Sequence, residues 1–191
     1  MTIEIQALEP ADYILAHIKD LEVTLTGLTD LATDQEVRVA RSFEYTRNEY
    51  WVVVPEAKLR PGNYSLHLQF NGDLTKGITG FYRSVYTNAQ GEKVPIATSK
   101  FQPTHARKAF PCFDEPSFKS TFSTKLVRPS EKYIALSNMP EEGAEADKPN
   151  PGLTVVTFKR SVPMVTYLAC FIVCDFQYQV RKRVLCLFRA G

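Results

Sequence analysis

Apolar and polar side chains alternate along much of this chain, with the two-residue period that is typical of β-strands. The alternation is clearest from Tyr64 to Asn71, where apolar residues occupy every second position and polar residues lie between them. Asn71 and Gly72 then supply a pair of residues typical of a turn. The pattern predicts a strand with one face on a core and the other in solvent, and it places His67 on the solvent face.

Shorter stretches of the same kind predict further strands throughout the sequence. They cover residues 3–5, 21–25, 37–45, 50–54, 81–86, 94–100, 121–127, 133–136, 153–159 and 167–173. The last of these is apolar on both faces, as is typical of a central strand. Asn88–Gly91 predicts a hairpin turn, whereas the acidic and proline-containing segment Pro140–Gly152 predicts an exposed loop. Helical periods are few, so the pattern predicts an all-β sandwich or curved saddle of mostly antiparallel strands.

The stretch Lys100–Phe118 does not fit a continuous helix or a central strand. Prolines at positions 103, 111 and 116 each fix φ and remove a backbone donor. Between the first two prolines, Thr104 is placed to cap a short helical turn near 104–109. Three phenylalanines lie close together in the second half of the stretch. Such apolar rings predict a structured loop held against a core.

Charged and nucleophilic residues are frequent in the same stretch, but they form no complete catalytic set. A basic side chain at 107 or 108 is expected to pair with an acidic one at 114 or 115, which would order the loop. Asp114 and Glu115 are adjacent, so in an extended segment they point to opposite sides and cannot flank one bond. His105 and Cys112 are a candidate base and nucleophile, yet no third residue is placed to orient the base.

Composition narrows the possible functions. The net charge of +2, from 23 basic and 21 acidic residues, gives no reason to expect a nucleic-acid partner. The N-terminus lacks the pattern of a signal peptide, and the longest uncharged apolar run, Val162–Cys174, is too short to cross a bilayer. We therefore expect no membrane segment in this chain. The four cysteines predict buried free thiols rather than a disulfide scaffold.

Several motifs in order along the chain carry a family resemblance. Phe101–Pro116 resembles the signature in the N-terminal domain of zinc aminopeptidases of the aminopeptidase N family, which includes membrane alanyl, glutamyl, puromycin-sensitive and endoplasmic-reticulum enzymes. Gly80–Ser84, Ala135–Pro140 and Met164–Phe176 match as well. The resemblance implies an N-terminal β domain over 1–176, with its start truncated, followed by a divergent tail over 177–191. Relatives are membrane-anchored and extracellular, or cytoplasmic, so the compartment stays open.

The resemblance also implies a peptide-cleaving enzyme whose catalytic part lies outside this chain. Zinc in such an enzyme is held by a His-Glu-x-x-His helix and a distant Glu. This sequence has three histidines, His17, His67 and His105, and no two of them are four positions apart. The Gly-Ala-Met-Glu-Asn segment of relatives is absent too. We therefore expect a capping domain that binds no metal itself, is inactive alone, and partners a catalytic domain and the N-terminus of a peptide substrate.

Gln102 and Lys100 are the candidate substrate-binding residues. By the resemblance, Gln102 matches the residue that accepts a hydrogen bond from the α-ammonium group of the substrate, a group with three donors. Lys100 stands where relatives have Gln. In an extended segment positions 100 and 102 share a face and lie within roughly 7 Å of each other. A lysine there would repel the substrate's ammonium group, or alternatively would extend into solvent from the end of a strand.

Two other classes of function compete with the capping domain. One is a truncated, non-catalytic binding module that docks on a full-length aminopeptidase or binds peptides. The other is an adhesion-type sandwich, which predicts a tryptophan between two core cysteines. Trp51 precedes every cysteine in this sequence, which disfavours the adhesion class.

Overall fold

The computed structural model describes residues 1–181 and 184–188, and this part of the chain is built almost entirely from β-strands. In chain order the strands are β1 (Thr2–Ala7), β2 (Ile14–His17), β3 (Leu21–Asp30), β4 (Gln35–Glu36), β5 (Val39–Tyr45), β6 (Tyr50–Pro55), β7 (Gly62–Gly72), β8 (Gly80–Thr87), β9 (Lys93–Lys100), β10 (Lys125–Pro129), β11 (Ile134–Ser137), β12 (Glu141–Ala146), β13 (Leu153–Phe158), β14 (Phe171–Cys174), β15 (Gln177–Arg181) and β16 (Val184–Phe188). Short 3-10 helices span Thr46–Asn48, Ala106–Lys108 and Thr166–Leu168. Every strand pairing among the described residues is antiparallel. The predicted all-β class, and a helical turn within 104–109, are confirmed.

The strands form two compact units. Unit 1 comprises Met1–Asp73 together with Gln102–Phe118, and unit 2 comprises Leu74–Phe101 together with the described residues from Lys119 onward. The stretch that the sequence singled out therefore belongs to unit 1 from Gln102 on, while Lys100 ends strand β9 of unit 2.

Unit 1 is a sandwich of two antiparallel sheets, with strand orders β1-β7-β3-β4 and β2-β6-β5. Strand β7 shows the alternation that its sequence predicts: Tyr64, Leu66 and Leu68 are buried, and His67 is exposed. These three side chains share a core with residues from β2, β3 and β6 of both sheets. The indole N–H of Trp51 donates to Thr26 Oγ1 at 3.1 Å, which joins the two sheets by a polar contact as well.

Unit 2 also contains two larger antiparallel sheets, with strand orders β11-β14-β9-β8 and β10-β13-β12. Ala135, Val156 and Phe158 from these sheets form a shared buried cluster. The hairpin between β8 and β9 turns at the residues that the sequence predicts. Asn88 Oδ1 stabilises this turn by accepting hydrogen bonds from the N–H groups of Gln90 and Glu92.

Several details differ from the sequence prediction. The strand predicted over 121–127 begins only at Lys125, as β10, β4 was not predicted, and Asn71 and Gly72, predicted as a turn, are the last residues of β7. Two further differences arise where a strand follows no simple alternation. Strand β2 was not predicted, and its pattern shows why: three of its four residues are buried, so no polar position alternates with them. The predicted loop Pro140–Gly152 was wrong over its first half, where β12 pairs with β13 although all six of its residues are exposed. Backbone pairing alone defines β12, and hydrophobic periodicity does not report backbone pairing.

The predicted strand over 167–173 begins late. Residues Thr166–Leu168 form a 3-10 turn, and β14 starts at Phe171. A short apolar run does not distinguish a strand from another buried segment, which explains the difference. The predicted central position is confirmed, since β14 lies between β11 and β9. The predicted tail 177–191 lies partly outside the described residues, and its boundary at 176 stays a prediction.

Candidate functional site

The segment Gln102–Phe118, which we call the signature loop, is anchored to strand β2 of unit 1. The N–H of His17 donates to the carbonyl of Cys112 at 2.7 Å, and the N–H of Cys112 donates back to the carbonyl of His17 at 3.1 Å. The N–H of Lys19 donates to the carbonyl of Arg107 at 2.9 Å. Phe110 and Cys112 are buried. The prediction of a structured loop pinned onto a core is confirmed.

One local detail of the loop differs from the sequence prediction. The residue that precedes the 3-10 turn Ala106–Lys108 is His105, and no side chain caps the turn, so the expected cap by Thr104 was wrong. This helix has only one turn, so few of its backbone N–H groups need a cap. The peptide bond between Gln102 and Pro103 is cis.

A charged cluster around Arg107 also holds the signature loop in place. Arg107 Nε donates to Asp114 Oδ2 at 2.9 Å, and an outer guanidinium nitrogen donates to Glu49 Oε2 at 2.9 Å. Lys19 pairs with the same glutamate. The Asp114 side chain is only 2% exposed and that of Arg107 12%. The ion pair predicted between a basic residue at 107 or 108 and an acidic one at 114 or 115 is confirmed as a largely buried contact.

The pKa values in this cluster follow its contacts. Hydrogen bonding from Lys19, reinforced by Arg107, outweighs burial and lowers the pKa of Glu49. Burial alone would lower the pKa of Arg107, but the hydrogen bonds to Asp114 and Glu49 raise it overall. Glu49 and Arg107 therefore stay charged at neutral pH. By formal charge, the two basic side chains of the cluster balance its two acidic ones.

His17 joins the cluster through its ring. The backbone N–H of Asp114 donates to His17 Nδ1 at 3.2 Å, so this nitrogen carries no proton. Burial, and then the nearby Arg107 charge, lower the pKa of His17. The imidazole is thus neutral at pH 7, and it packs against Tyr50 with ring centroids 4.8 Å apart.

Beside His17 lies a cavity of about 340 Å³, which we call the aromatic cavity. Its walls belong to unit 1 and are largely apolar. Its lining includes one carboxylate, that of Glu115. Five aromatic side chains line it: Tyr13, Tyr50, Tyr64, Phe113 and Phe118.

The described thiols have raised pKa values, which makes them poor nucleophiles at neutral pH. Burial raises the pKa of Cys112 well above its usual value, and the charge of Asp114 adds to this effect more than Arg107 opposes it. Burial also raises the pKa of Cys170 and Cys174. All three are free cysteines, as the sequence predicts. Cys112 and Cys174 are buried, whereas the predicted burial of Cys170 was wrong, since this residue is half-buried. The Cys186 side chain lies outside the described residues. A protonated Cys112 argues against the candidate Cys–His pair.

Gln102 and Lys100, the substrate-binding candidates, are both exposed. Within the described part of the chain, neither side chain makes a hydrogen bond or an ion pair. Gln102 is the first residue of the signature loop, and Lys100 is the last residue of β9. Their assignment to substrate binding stays a prediction.

Sequence reasoning missed the partners that organise the loop: His17, Lys19 and Glu49. They lie 97, 88 and 58 positions from the loop residues that they contact, Asp114, Arg107 and Arg107 respectively. The topology of unit 1 brings these three residues to the signature loop. No local pattern in the sequence could have indicated these contacts.

The described residues contain neither a metal-ligand cluster nor a membrane-spanning helix. Among them, no group of three or more His, Cys, Asp or Glu side chains is arranged to hold a metal ion. No described helix has both the length and the apolar character needed to span a bilayer.

Comparison with known proteins supports the resemblance to the aminopeptidase N family. A family model described as the Peptidase M1 N-terminal domain matches residues 1–168. Glutamyl aminopeptidase of Sus scrofa is 39% identical over 185 residues, which cover 95% of this chain and 19% of that protein. Endoplasmic reticulum aminopeptidase 2 of Bos taurus is 39% identical over 181 residues, which cover 91% of this chain and 18% of that protein. The chain thus spans about a fifth of the length of these relatives.

Proposed function

Since the chain belongs to the family of peptidase M1 N-terminal domains, we propose that it caps the catalytic domain of a zinc aminopeptidase and helps to bind the N-terminus of a peptide substrate. The match over residues 1–168 is the observation that carries this proposal. The relatives named aminopeptidases are about five times longer than the matched segment, so the proposal concerns an intact enzyme of which this chain is one part.

Zinc chemistry belongs to the other part of that enzyme. A hydrolytic zinc site needs three protein ligands and one open position. The described residues of this chain do not fit that requirement, because no suitable cluster of ligands lies among them. In the proposed enzyme, the contribution of this chain is to recognise the substrate.

Gln102 is the residue that we assign to recognition. An α-ammonium group has three donors and needs acceptors that converge on it, and the amide oxygen of Gln102 is such an acceptor. The side chain is exposed and unbonded within the described structure, so binding a substrate would break no existing contact. The anchored loop that follows it would limit the entropy lost on binding.

Lys100 is the second residue in the proposal. It lies two positions before Gln102 in the sequence and carries a fixed positive charge. We propose that this charge opposes the substrate's ammonium group and weakens binding. Replacement by glutamine is then expected to improve catalysis, and the improvement should shrink at high salt because exposed charges are screened.

The test is a chimera in which residues 1–176 replace the matching N-terminal segment of glutamyl aminopeptidase. Gln102→Ala is expected to lower kcat/KM by about 10- to 150-fold, the loss of one hydrogen bond to a charged group of roughly 1.5–3 kcal/mol. Lys100→Gln is expected to raise kcat/KM. Gln69→Ala removes another exposed glutamine, from β7, and should leave kcat/KM unchanged.

Further controls separate substrate recognition from loss of structure. A peptide with an acetylated α-amine should be cleaved slowly by every variant and respond to none of the substitutions. The chain alone, assayed in parallel, is expected to release no amino acid. If Gln102→Ala leaves kcat/KM for free-amine peptides unchanged, the assignment of Gln102 is wrong.

A further inference from the structure

The aromatic cavity is separate from Gln102 and has a chemical character of its own. Its volume of about 340 Å³ lies in the range of small-molecule sites. Rings of tyrosine and phenylalanine make up a large part of its wall, including the exposed side chains of Tyr13 and Phe118. Phe118 packs on Phe113 with ring centroids 5.5 Å apart, so two of the rings support each other.

Among the residues that line the cavity, Glu115 is the one Asp, Glu, Lys or Arg. Its side chain is exposed and makes no ion pair or hydrogen bond among the described residues. His17 is neutral, because its Nδ1 accepts a hydrogen bond from the Asp114 N–H. Two groups of charges close to the lining in the sequence are balanced within themselves: the Arg107 cluster, and Lys58, which pairs with Asp12 at 3.1 Å. The lining itself therefore presents a single formal negative charge beside apolar and aromatic walls.

A cation with an apolar surface complements both features. Aromatic rings attract such a cation through their quadrupole, and recognition of quaternary ammonium groups by several rings is a known use of this attraction. An anion would be repelled by Glu115, and a strongly hydrated metal ion would find one carboxylate where it needs several oxygen ligands. We propose that the aromatic cavity binds a small organic ammonium ion, with the rings around its alkyl groups and Glu115 balancing its charge.

The experiment uses the full chain and choline as the probe, titrated by NMR chemical shifts. Its neutral isostere 3,3-dimethylbutan-1-ol has a carbon in place of the nitrogen and nearly the same shape. Choline is expected to bind about tenfold more tightly than the isostere, since only the cation gains from the rings and the carboxylate. Equal binding of the two probes, or no binding of choline at millimolar concentration, would overturn the proposal.

Two variants locate the site. Glu115→Gln is expected to weaken choline binding about threefold, as for one exposed charge contact, and to leave the isostere unaffected. Glu142→Gln neutralises an exposed glutamate of unit 2 and should have no effect. Phe118→Leu keeps an apolar side chain but removes a ring, so choline should lose affinity more than the isostere does. If Glu115→Gln and Phe118→Leu both leave choline binding unchanged, the cation does not bind in this cavity and the proposal fails.

Discussion

The Arg107 cluster gives a stability prediction whose size follows from its burial. Arg107→Ala removes the hydrogen bonds to Asp114 and Glu49 and takes the guanidinium charge away from the Asp114 carboxylate, which is 2% exposed. Glu49 is about one-third exposed and keeps Lys19, so most of the cost comes from Asp114. Removing one member of a buried ion pair costs about 3–5 kcal/mol. We expect Arg107→Ala to lower the free energy of unfolding by about 3 kcal/mol, the lower end of that range, because Arg107 is not fully buried.

Urea unfolding of the full chain measures this loss, and an exposed pair provides the matched control. The side chains of Lys58 and Asp12 are 55% and 68% exposed, so Lys58→Ala should cost about 0–1 kcal/mol. Arg107→Lys should recover only part of the loss, because one ammonium group does not reproduce the planar geometry that reaches both acids. If Arg107→Ala costs no more than Lys58→Ala, the cluster is not an energetic anchor of the loop and this reasoning is refuted.

Two further predictions concern the core and the pH dependence of unit 1. Leu66→Ala should lower the free energy of unfolding by about 3–5 kcal/mol through the cavity it leaves, whereas Leu8→Ala, at 79% exposure, should cost under about 1 kcal/mol in the same urea melts. Because the pKa of His17 is lowered from 6.5 in the folded chain, the unfolded chain takes up a proton first as the pH falls through 6.5. Stability should therefore fall as the pH drops through 6.5, and less steeply in His17→Gln than in the exposed control His67→Gln. A fall as steep in His17→Gln as in the parent chain would contradict the second prediction.

Local sequence patterns predicted those strands and contacts that depend on the burial of residues close together in the sequence. The alternation from Tyr64 to Asn71 reports a strand whose two faces meet different surroundings, and strand β7 has those faces. The pair Arg107–Asp114 was predictable because its residues are seven positions apart in a loop that prolines prevent from extending as a strand. Family resemblance added the domain class, which burial patterns alone do not distinguish from other β-sandwiches.

What escaped prediction depends on contacts that are distant in the sequence. The role of His17 arises because β2 lies beside the signature loop, and its own neighbours in the sequence carry no sign of this. Glu49 was missed for the same reason. Strand β12 was missed because its exposed residues leave no hydrophobic pattern to read. The aromatic cavity combines residues from several strands and the loop, so it could be found only after folding.

Strand β12 has a consequence for how copies of this chain meet. It is the last strand of its sheet, so its outer backbone groups are an open template onto which a strand of another molecule could add. Glu141, Glu142 and Glu145 lie along it, and the register shifts between Glu141 and Gly143. Two such edges brought together would set carboxylates of both molecules near each other across an irregular ladder, a pairing that repulsion opposes. The acidic edge thus protects the sheet from growing into a multimolecular assembly, and it does so with residues that contribute nothing to the core.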